Sequence, residues 1–362
     1  ARRWRVAVPA LASLLVLAAV ALGSSSAPRH AVAAWFKAAL GLSAQPAASP
    51  TLGPLPSGGQ LLARAPSGLW LVRADGHRRL LGRWTDGVVS PHSLYLAAWR
   101  GDELAALDLR GRPQWVVSNA NAGPVSGARW SPDGYRIAYL AGSTLMVIAG
   151  DSSDRRALAT SVDPVAPAWE PGTGAHRVAF VDGRGEVELR DADTGALIWR
   201  ARTPAPPRQL LWAAGGGRLI AICGDEIVAY GRNGARTGER AAGGPISAAA
   251  LSPAGGLALI VDHPAVQTVS VVLAPDRSGR AAAPQALFTA AETLADPAFS
   301  PDGRWLVVAS PSADEWLWLR VAGALRIGAV SGVAAKFHAG TASRGFPAPA
   351  DWQPINPQAP RS

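Results

Sequence analysis

One pattern recurs from Gln60 almost to the end of the chain, and it limits what this sequence can fold into. Its clearest copies are Ala128–Leu140, Pro297–Ala309 and Pro167–Phe180. Each reads as a short strand, a Pro-containing turn and an apolar strand, with Trp130-Ser-Pro-Asp-Gly134 and Phe299-Ser-Pro-Asp-Gly303 the sharpest forms. Pro fixes φ at the first central turn position, and Asp-Gly completes the reversal. Fainter copies stand at Val89-Ser-Pro-His-Ser93, Trp212-Ala-Ala-Gly-Gly216, Leu251-Ser-Pro-Ala-Gly255 and Trp352-Gln-Pro354. Anchored on Pro91, Pro132, Pro171, Ala214, Pro253, Pro301 and Pro354, the steps are 41, 39, 43, 39, 48 and 53 residues. Two residues before the anchors stand Val89, Trp130, Trp169, Trp212, Leu251, Phe299 and Trp352. An apolar column kept through every copy is expected to be a packing layer on one strand of each unit.

Two further strand-like runs follow each of the first six anchors. In the third unit they are Arg177–Asp182 and Glu186–Arg190, after which Asp191–Trp199 turns into a fourth strand. Four short strands per unit of about forty residues is the signature of a propeller blade. The expected fold is therefore all-β, a β-propeller of four-stranded blades. Gln60–Arg64, Gly68–Arg73 and Arg79–Trp84 lack a first strand, while Ala348–Pro354 is a first strand with nothing after it. Paired, they complete one blade, remove the exposed edges and bring the count to seven. The long last two units leave six or eight open.

The Trp/Phe-Ser-Pro-Asp-Gly motifs at 130–134 and 299–303, with Asp351-Trp352-Gln353-Pro354, resemble the TolB-like and WD-like propeller repeats of bacterial envelope proteins. The resemblance spans residues 60–354 and implies the fold, since such repeats serve many roles. Asp191–Trp199 resembles the strand–turn–strand element of quinoprotein propellers. It occurs in one unit, so no quinone is expected.

The net charge of +9 raises nucleic acid as a partner, and its placement argues against it. Residues 1–42 hold Arg2, Arg3, Arg5, Arg29 and Lys37 and no acid; beyond them 30 basic face 26 acidic residues. Scattered cations do not track phosphates, so no nucleic-acid partner is expected. Cys223 is the single cysteine, which excludes an internal disulfide.

Arg2, Arg3 and Arg5 precede Val6–Gly23, an uncharged run rich in Ala, Leu and Val. Residues 1–23 are expected to be a transmembrane anchor with its N-terminus in the cytoplasm, or a signal sequence cleaved near Ala21-Leu22-Gly23. Residues 24–43 form a juxtamembrane helix in this reading, with Val32, Trp35, Phe36, Ala39 and Leu40 at helical spacing. A Pro/Ser/Gly linker at 44–59 then leads to the propeller at 60–354 and a disordered tail at 355–362. Because the chain starts at Ala1, a cytoplasmic domain before it stays open. The anchor region resembles those of some actinobacterial anti-sigma-type membrane proteins, which adds the outer domain of a regulatory sensor as an alternative.

Chemistry is sparse in the sequence. The six histidines (His30, His77, His92, His176, His263 and His338) show no metal-ligand spacing, and neither G-x-S-x-G nor a phosphate loop is present. Asp133 and Asp302 read as turn residues. No metal, cofactor or catalytic set is expected. Two candidate partner-binding features stand out. Asp102-Glu103, Asp225-Glu226 and Asp314-Glu315 fall between the second and third strands of three units, so six carboxylates would share one rim. They would serve as polar turn residues, a cation site or a dock for a basic partner. The longest connection, 334–347, carries Lys336, Phe337, His338, Arg344 and Phe346. Aromatic and Arg residues suit a contact hot spot, or the phenylalanines pack under the last blade. Cys223 reads as an inert core thiol.

The reading is a membrane-anchored extracytoplasmic propeller that binds a protein, peptide or cell-wall ligand in a bacterial envelope. The rival is a lyase or lactonase with a site in the central channel. Such sites gather His and carboxylates from several inner strands, and the inner strands are expected to offer Trp, Ala, Val and Leu instead.

Overall fold

Short runs of aliphatic and aromatic residues between Gly, Pro and Asp turns make strands, those in the middle of each unit buried on both faces and the last of each unit partly exposed. The computed structural model describes residues 52–356 except 173, 175, 267, 276–284 and 338–345. The expected anchor (1–23), the juxtamembrane helix (24–43), the first half of the linker (44–51) and most of the tail (357–362) lie outside the described residues. Among the described residues no helix is long and apolar enough to cross a membrane.

The first strands are β1 (Gln60–Ala65), β2 (Gly68–Arg73) and β3 (Arg78–Gly82). Blade 2 follows as β4 (Asp86–Val89), β5 (Tyr95–Arg100), β6 (Glu103–Asp108) and β7 (Pro113–Ser118). Blade 3 is β8 (Val125–Trp130), β9 (Arg136–Ala141), β10 (Thr144–Ala149) and β11 (Arg156–Thr160). Blade 4 is β12 (Ala168–Trp169), β13 (Arg177–Val181), β14 (Val187–Asp191) and β15 (Leu197–Ala201). Blade 5 is β16 (Gln209–Trp212), β17 (Arg218–Cys223), β18 (Glu226–Gly231) and β19 (Arg236–Ala241). Blade 6 is β20 (Ile246–Leu251), β21 (Gly256–His263), β22 (Thr268–Pro275) and β23 (Gln285–Ala290). Blade 7 is β24 (Ala295–Phe299), β25 (Trp305–Ser310), β26 (Glu315–Arg320) and β27 (Arg326–Ser331). A short helix α1 (Val333–Phe337) then leads toward β28 (Ala348–Gln353).

β28 pairs with β1, with Trp352 opposite Leu61 and Gln353 opposite Gln60. Blade 1 is therefore β28-β1-β2-β3, closed by the two ends of the chain. The result is a seven-bladed propeller, all sheets four-stranded and antiparallel. In such blades the 1–2 and 3–4 turns share one face, here called lower. The 2–3 turns and the connections between blades share the other, upper face.

The repeat motif shows why each unit turns where it does. In Ser131-Pro-Asp-Gly134 the Ser131 Oγ donates to Asp133 at 2.5 Å and accepts the Arg136 N–H at 2.9 Å. Gly134 has φ +74°, a conformation that Gly adopts without steric penalty. Ser300 Oγ makes the matching bonds, donating to Asp302 (2.6 Å) and accepting the Trp305 N–H (2.9 Å). Both aspartates are turn residues, as expected.

The apolar column ends six of the seven innermost strands, and Trp352 stands one residue from the end of β28. Six of its members are buried, and Leu251 is half-buried. Its indoles also link neighbouring blades. Trp130 donates to Val88 O (3.3 Å), Trp169 to Arg129 O (2.9 Å) and Trp212 to Ala168 O (3.1 Å), each carbonyl lying one residue before the preceding column member. Trp352 donates to Gly58 O (2.9 Å). An indole thus supplies both apolar area and a satisfied polar tip at the inner ring.

One boundary differs from expectation. The linker read as 44–59 is already part of the packed domain from Leu52 onward. Leu52 and Leu55 are buried in the cluster that holds Trp316, Trp318 and Trp352, and the Leu55 N–H donates to Ala74 O at 2.9 Å. Pro and Gly in 53–59 shape this approach; spacing alone could not separate it from a free tether.

Candidate functional site

The 2–3 turns of blades 2, 5 and 7 do carry the three Asp-Glu pairs to the upper face, but local bonds hold most of them. Asp102 accepts Ser118 Oγ at 2.5 Å, and Glu103 pairs with Arg100 at 2.8 Å. Asp314, at φ +55°, accepts the Ala334 N–H at 2.7 Å and so holds the start of α1. Glu315 is buried and accepts Ser331 Oγ at 2.6 Å. Asp225 is exposed and Glu226 half-buried, and neither carboxylate has a hydrogen-bond or ion-pair partner among the described residues. The turns also space the pairs around the rim. Among the described residues no three His, Cys, Asp or Glu side chains gather as metal ligands.

The long connection resolves into packing where it is described. Phe337 is 1% exposed, 5.6 Å edge-on from Trp70 and 5.3 Å from Trp316, with the Arg78 guanidinium 5.5 Å above its ring. Burial of such a ring contributes about 2 kcal/mol. Phe337 is thus a core residue of the blade 7–blade 1 seam and offers no surface to a partner. Phe346 is half-buried against the same cluster. Lys336 is buried, which pulls its amine below the usual lysine range, with Arg78 adding to that and Asp314 opposing it. His338 and Arg344 lie outside the described residues. Cys223 is buried in β17, and burial pushes its thiol up to about 11, which suits an inert core residue.

The inner strands correct one expectation. They offer more than Trp, Ala, Val and Leu, because blades 7, 1 and 2 place Asp296, Asp351 and Asp86 on adjacent innermost strands. Arg64, from β1, reaches Asp86 Oδ2 at 3.2 Å and also bonds Asp296 Oδ1, so one guanidinium ties the closing blade to both neighbours. Burial would lower the Arg64 pKa, and the two carboxylates more than offset this and raise it. Asp351 accepts the Val89 N–H at 2.9 Å and Gln353 Nε2 at 2.8 Å. Burial nevertheless holds its carboxyl above the usual range, as it does for Asp86. Arg129 of β8 is exposed, its Nη1 donating to Ala128 O at 2.8 Å, yet the surrounding ring desolvates it enough to lower its pKa. A signal existed: Asp86 and Asp296 both stand three residues before the apolar column, as does Gln209.

Blades 3 and 4 hold a second polar assembly that sequence reading missed. His176 Nε2 lies 2.6 Å from Asp133 Oδ2 and Nδ1 2.7 Å from Asp193 Oδ2. Arg136 bonds Asp193 Oδ1 at 2.6 Å. Partial burial works against the imidazolium, while Asp193 and Asp133 outweigh it and raise the His176 pKa.

No protein-family model and no curated protein matches the chain. Solved structures do. The β-propeller domain of Cps50 (Swd1) from Myceliophteria thermophila is 16% identical over 68% of this chain and 86% of that one, with TM-score 0.55. A chain of a mitotic checkpoint complex is 15% identical over 71% and 82%, with TM-score 0.57. A functionally unknown protein from Desulfotomaculum acetoxidans DSM 771 is 12% identical over 83% and 100%, with TM-score 0.60. At these identities the likeness shows the fold, a β-propeller.

Proposed function

We propose that this protein is a binding scaffold whose propeller is held outside a bacterial cell membrane by the apolar segment Val6–Gly23. The rim carries the binding half of this reading: three Asp-Glu turns share the upper face of a ring closed by its own termini, and Asp225 stands exposed there. Such a surface suits a basic protein or peptide segment. The TolB-like repeat motifs and the mitotic checkpoint complex, in which a propeller is part of a protein assembly, support a binding role. Arg2, Arg3 and Arg5 before an uncharged run support the anchor and its orientation. The scaffold is non-catalytic in this reading: the axial carboxylates Asp86 and Asp296 are engaged by Arg64, and Asp351 by backbone and amide donors.

Cross-linking and affinity capture with the full chain in its native membrane test the proposal. The wild-type chain should stay with membranes after alkaline extraction and capture a basic partner that the Asp225→Lys/Glu226→Lys variant loses. Release by alkali would remove the anchor, and equal capture by both chains would remove the rim as the binding surface.

A further inference from the structure

Six of the blades act as internal controls for one another, and blade 4 departs from the other five. Third strands can be aligned on the backbone bond that opens each 3–4 turn, such as Asp108 N–H to Arg112 O and Asp191 N–H to Ala196 O. Three residues before that point the chain has Trp70, Ala105, Met146, Val228 and Leu317 in blades 1, 2, 3, 5 and 7. Blade 4 has Glu188 there. One residue before it the same blades have Val72, Leu107, Ile148, Tyr230 and Leu319, and blade 4 has Arg190. Where its neighbours seal against the preceding blade with apolar side chains, blade 4 presents an ion pair.

That pair borders a groove. Between β11 and the strands of blade 4 lies a cavity of about 620 Å³, open to solvent, floored by Leu158 and Phe180 and walled by Asp182, Arg184, Glu188, Arg190 and Arg200. Glu188 is 1% exposed, and its carboxylate is fully engaged: Arg190 Nε at 2.9 Å, Arg200 Nε at 2.8 Å and a further bond from Arg200 Nη2. Arg190 Nη1 also donates to Leu158 O of β11 at 3.2 Å, and its guanidinium sits 5.7 Å from the Phe180 ring. The Arg184 side chain is exposed on the 2–3 turn and has no ion-pair partner among the described residues. The groove therefore sets three guanidinium groups against two carboxylates, Glu188 saturated and Asp182 holding the Arg184 and Glu186 N–H groups at 3.0 and 2.9 Å, and it runs along the outer edge of a blade. An ion pair costs more to bury than the apolar residues it replaces, so packing gives no reason for it.

We infer that the blade 3–blade 4 groove binds an extended acidic peptide segment of a protein partner, lying beside β11 with a carboxylate on Arg184. Charge complementarity selects the acid, the free strand edge accepts an extended backbone, and the Leu158–Phe180 floor takes an aliphatic side chain. This inference rests on the scaffold reading for the kind of partner, while its site uses none of the three Asp-Glu turns, although Arg184 stands on the same face.

Fluorescence anisotropy with the full chain in detergent provides the test, using the labelled peptide Val-Glu-Val-Asp-Val-Glu and its Gln/Asn counterpart. The acidic peptide should bind at least about tenfold tighter than the neutral one, and Arg184→Glu should abolish that preference. Thr160→Trp, which crowds the groove from an exposed position on β11, should weaken binding without lowering the melting temperature. The control Arg326→Glu, on blade 7, should bind as wild type. Asp225→Lys/Glu226→Lys should too, so failure here and failure of the rim are told apart. Equal binding of the two peptides, or equal losses from Arg184→Glu and Arg326→Glu, would overturn the inference.

Discussion

Two seams of the same ring are built from opposite materials. Blade 7 meets blade 1 through Trp316, Trp318, Phe337 and Trp352, with Trp318 and Trp352 edge-on at 5.3 Å. Blade 3 meets blade 4 through Leu158, Phe180 and Trp169 near the core, then through Glu188, Arg190 and the His176 assembly. The first seam packs the last blade on the blade that the propeller's first and last strands close, where separation would open the ring, and it holds four of the aromatic contacts among the described residues. The second joins consecutive segments of chain, so it can give up apolar area for charge. Stability is concentrated where topology requires it, and a binding groove is formed where topology does not.

The largest break should come at the closing seam. Trp316 is fully buried and its Nε1 donates to Pro347 O at 2.8 Å. Trp316→Ala should cost about 3–5 kcal/mol in denaturant unfolding. At the polar seam, Glu188→Gln should cost somewhat less, about 3 kcal/mol, by leaving two guanidinium groups without their buried carboxylate. Loss of one inner-ring indole bond is smaller. Trp130→Phe keeps most of the area and should cost about 1 kcal/mol, read from the same unfolding curves.

The smallest expected effect is a pH dependence. His176 has a folded pKa raised above the ordinary 6.5, so its contribution is fully present below pH 6.5. It fades as pH rises through the raised value. The side chain is 21% exposed and its acid partners more so, which makes the effect a fraction of the buried pair's. His176→Gln should flatten the stability–pH curve in that window. An unchanged curve would show that the Asp133–His176–Asp193 contacts contribute nothing.

The repeat made the architecture legible because turn chemistry and the apolar column are local and periodic. Pro91 to Pro354 set the units, and the unmatched strand at each end implied closure. The site was less legible for a physical reason. Asp86, Asp296 and Asp351 are single polar residues in separate units, and only ring closure brings them together, with Arg64 bonding Asp86 and Asp296 and Asp351 holding the Val89 N–H. Glu188 and Arg190 alternate with Val187 and Leu189 as in any half-exposed strand. Their burial becomes visible once the third strands are superposed. Phe337 shows the reverse case: an aromatic in a long connection reads either as a contact residue or as packing under the last blade, and the short helix gives it the second role.

The central claim is that blade 4 exchanged apolar packing for binding, and Glu188→Val/Arg190→Ile tests it most directly. This double variant gives blade 4 the apolar seam of its neighbours. Unfolding and acidic-peptide titration on the same sample should show stability unchanged or raised by about 1–4 kcal/mol, with peptide binding lost. A fall of several kcal/mol with peptide binding intact would contradict the account and make the ion pair a structural device.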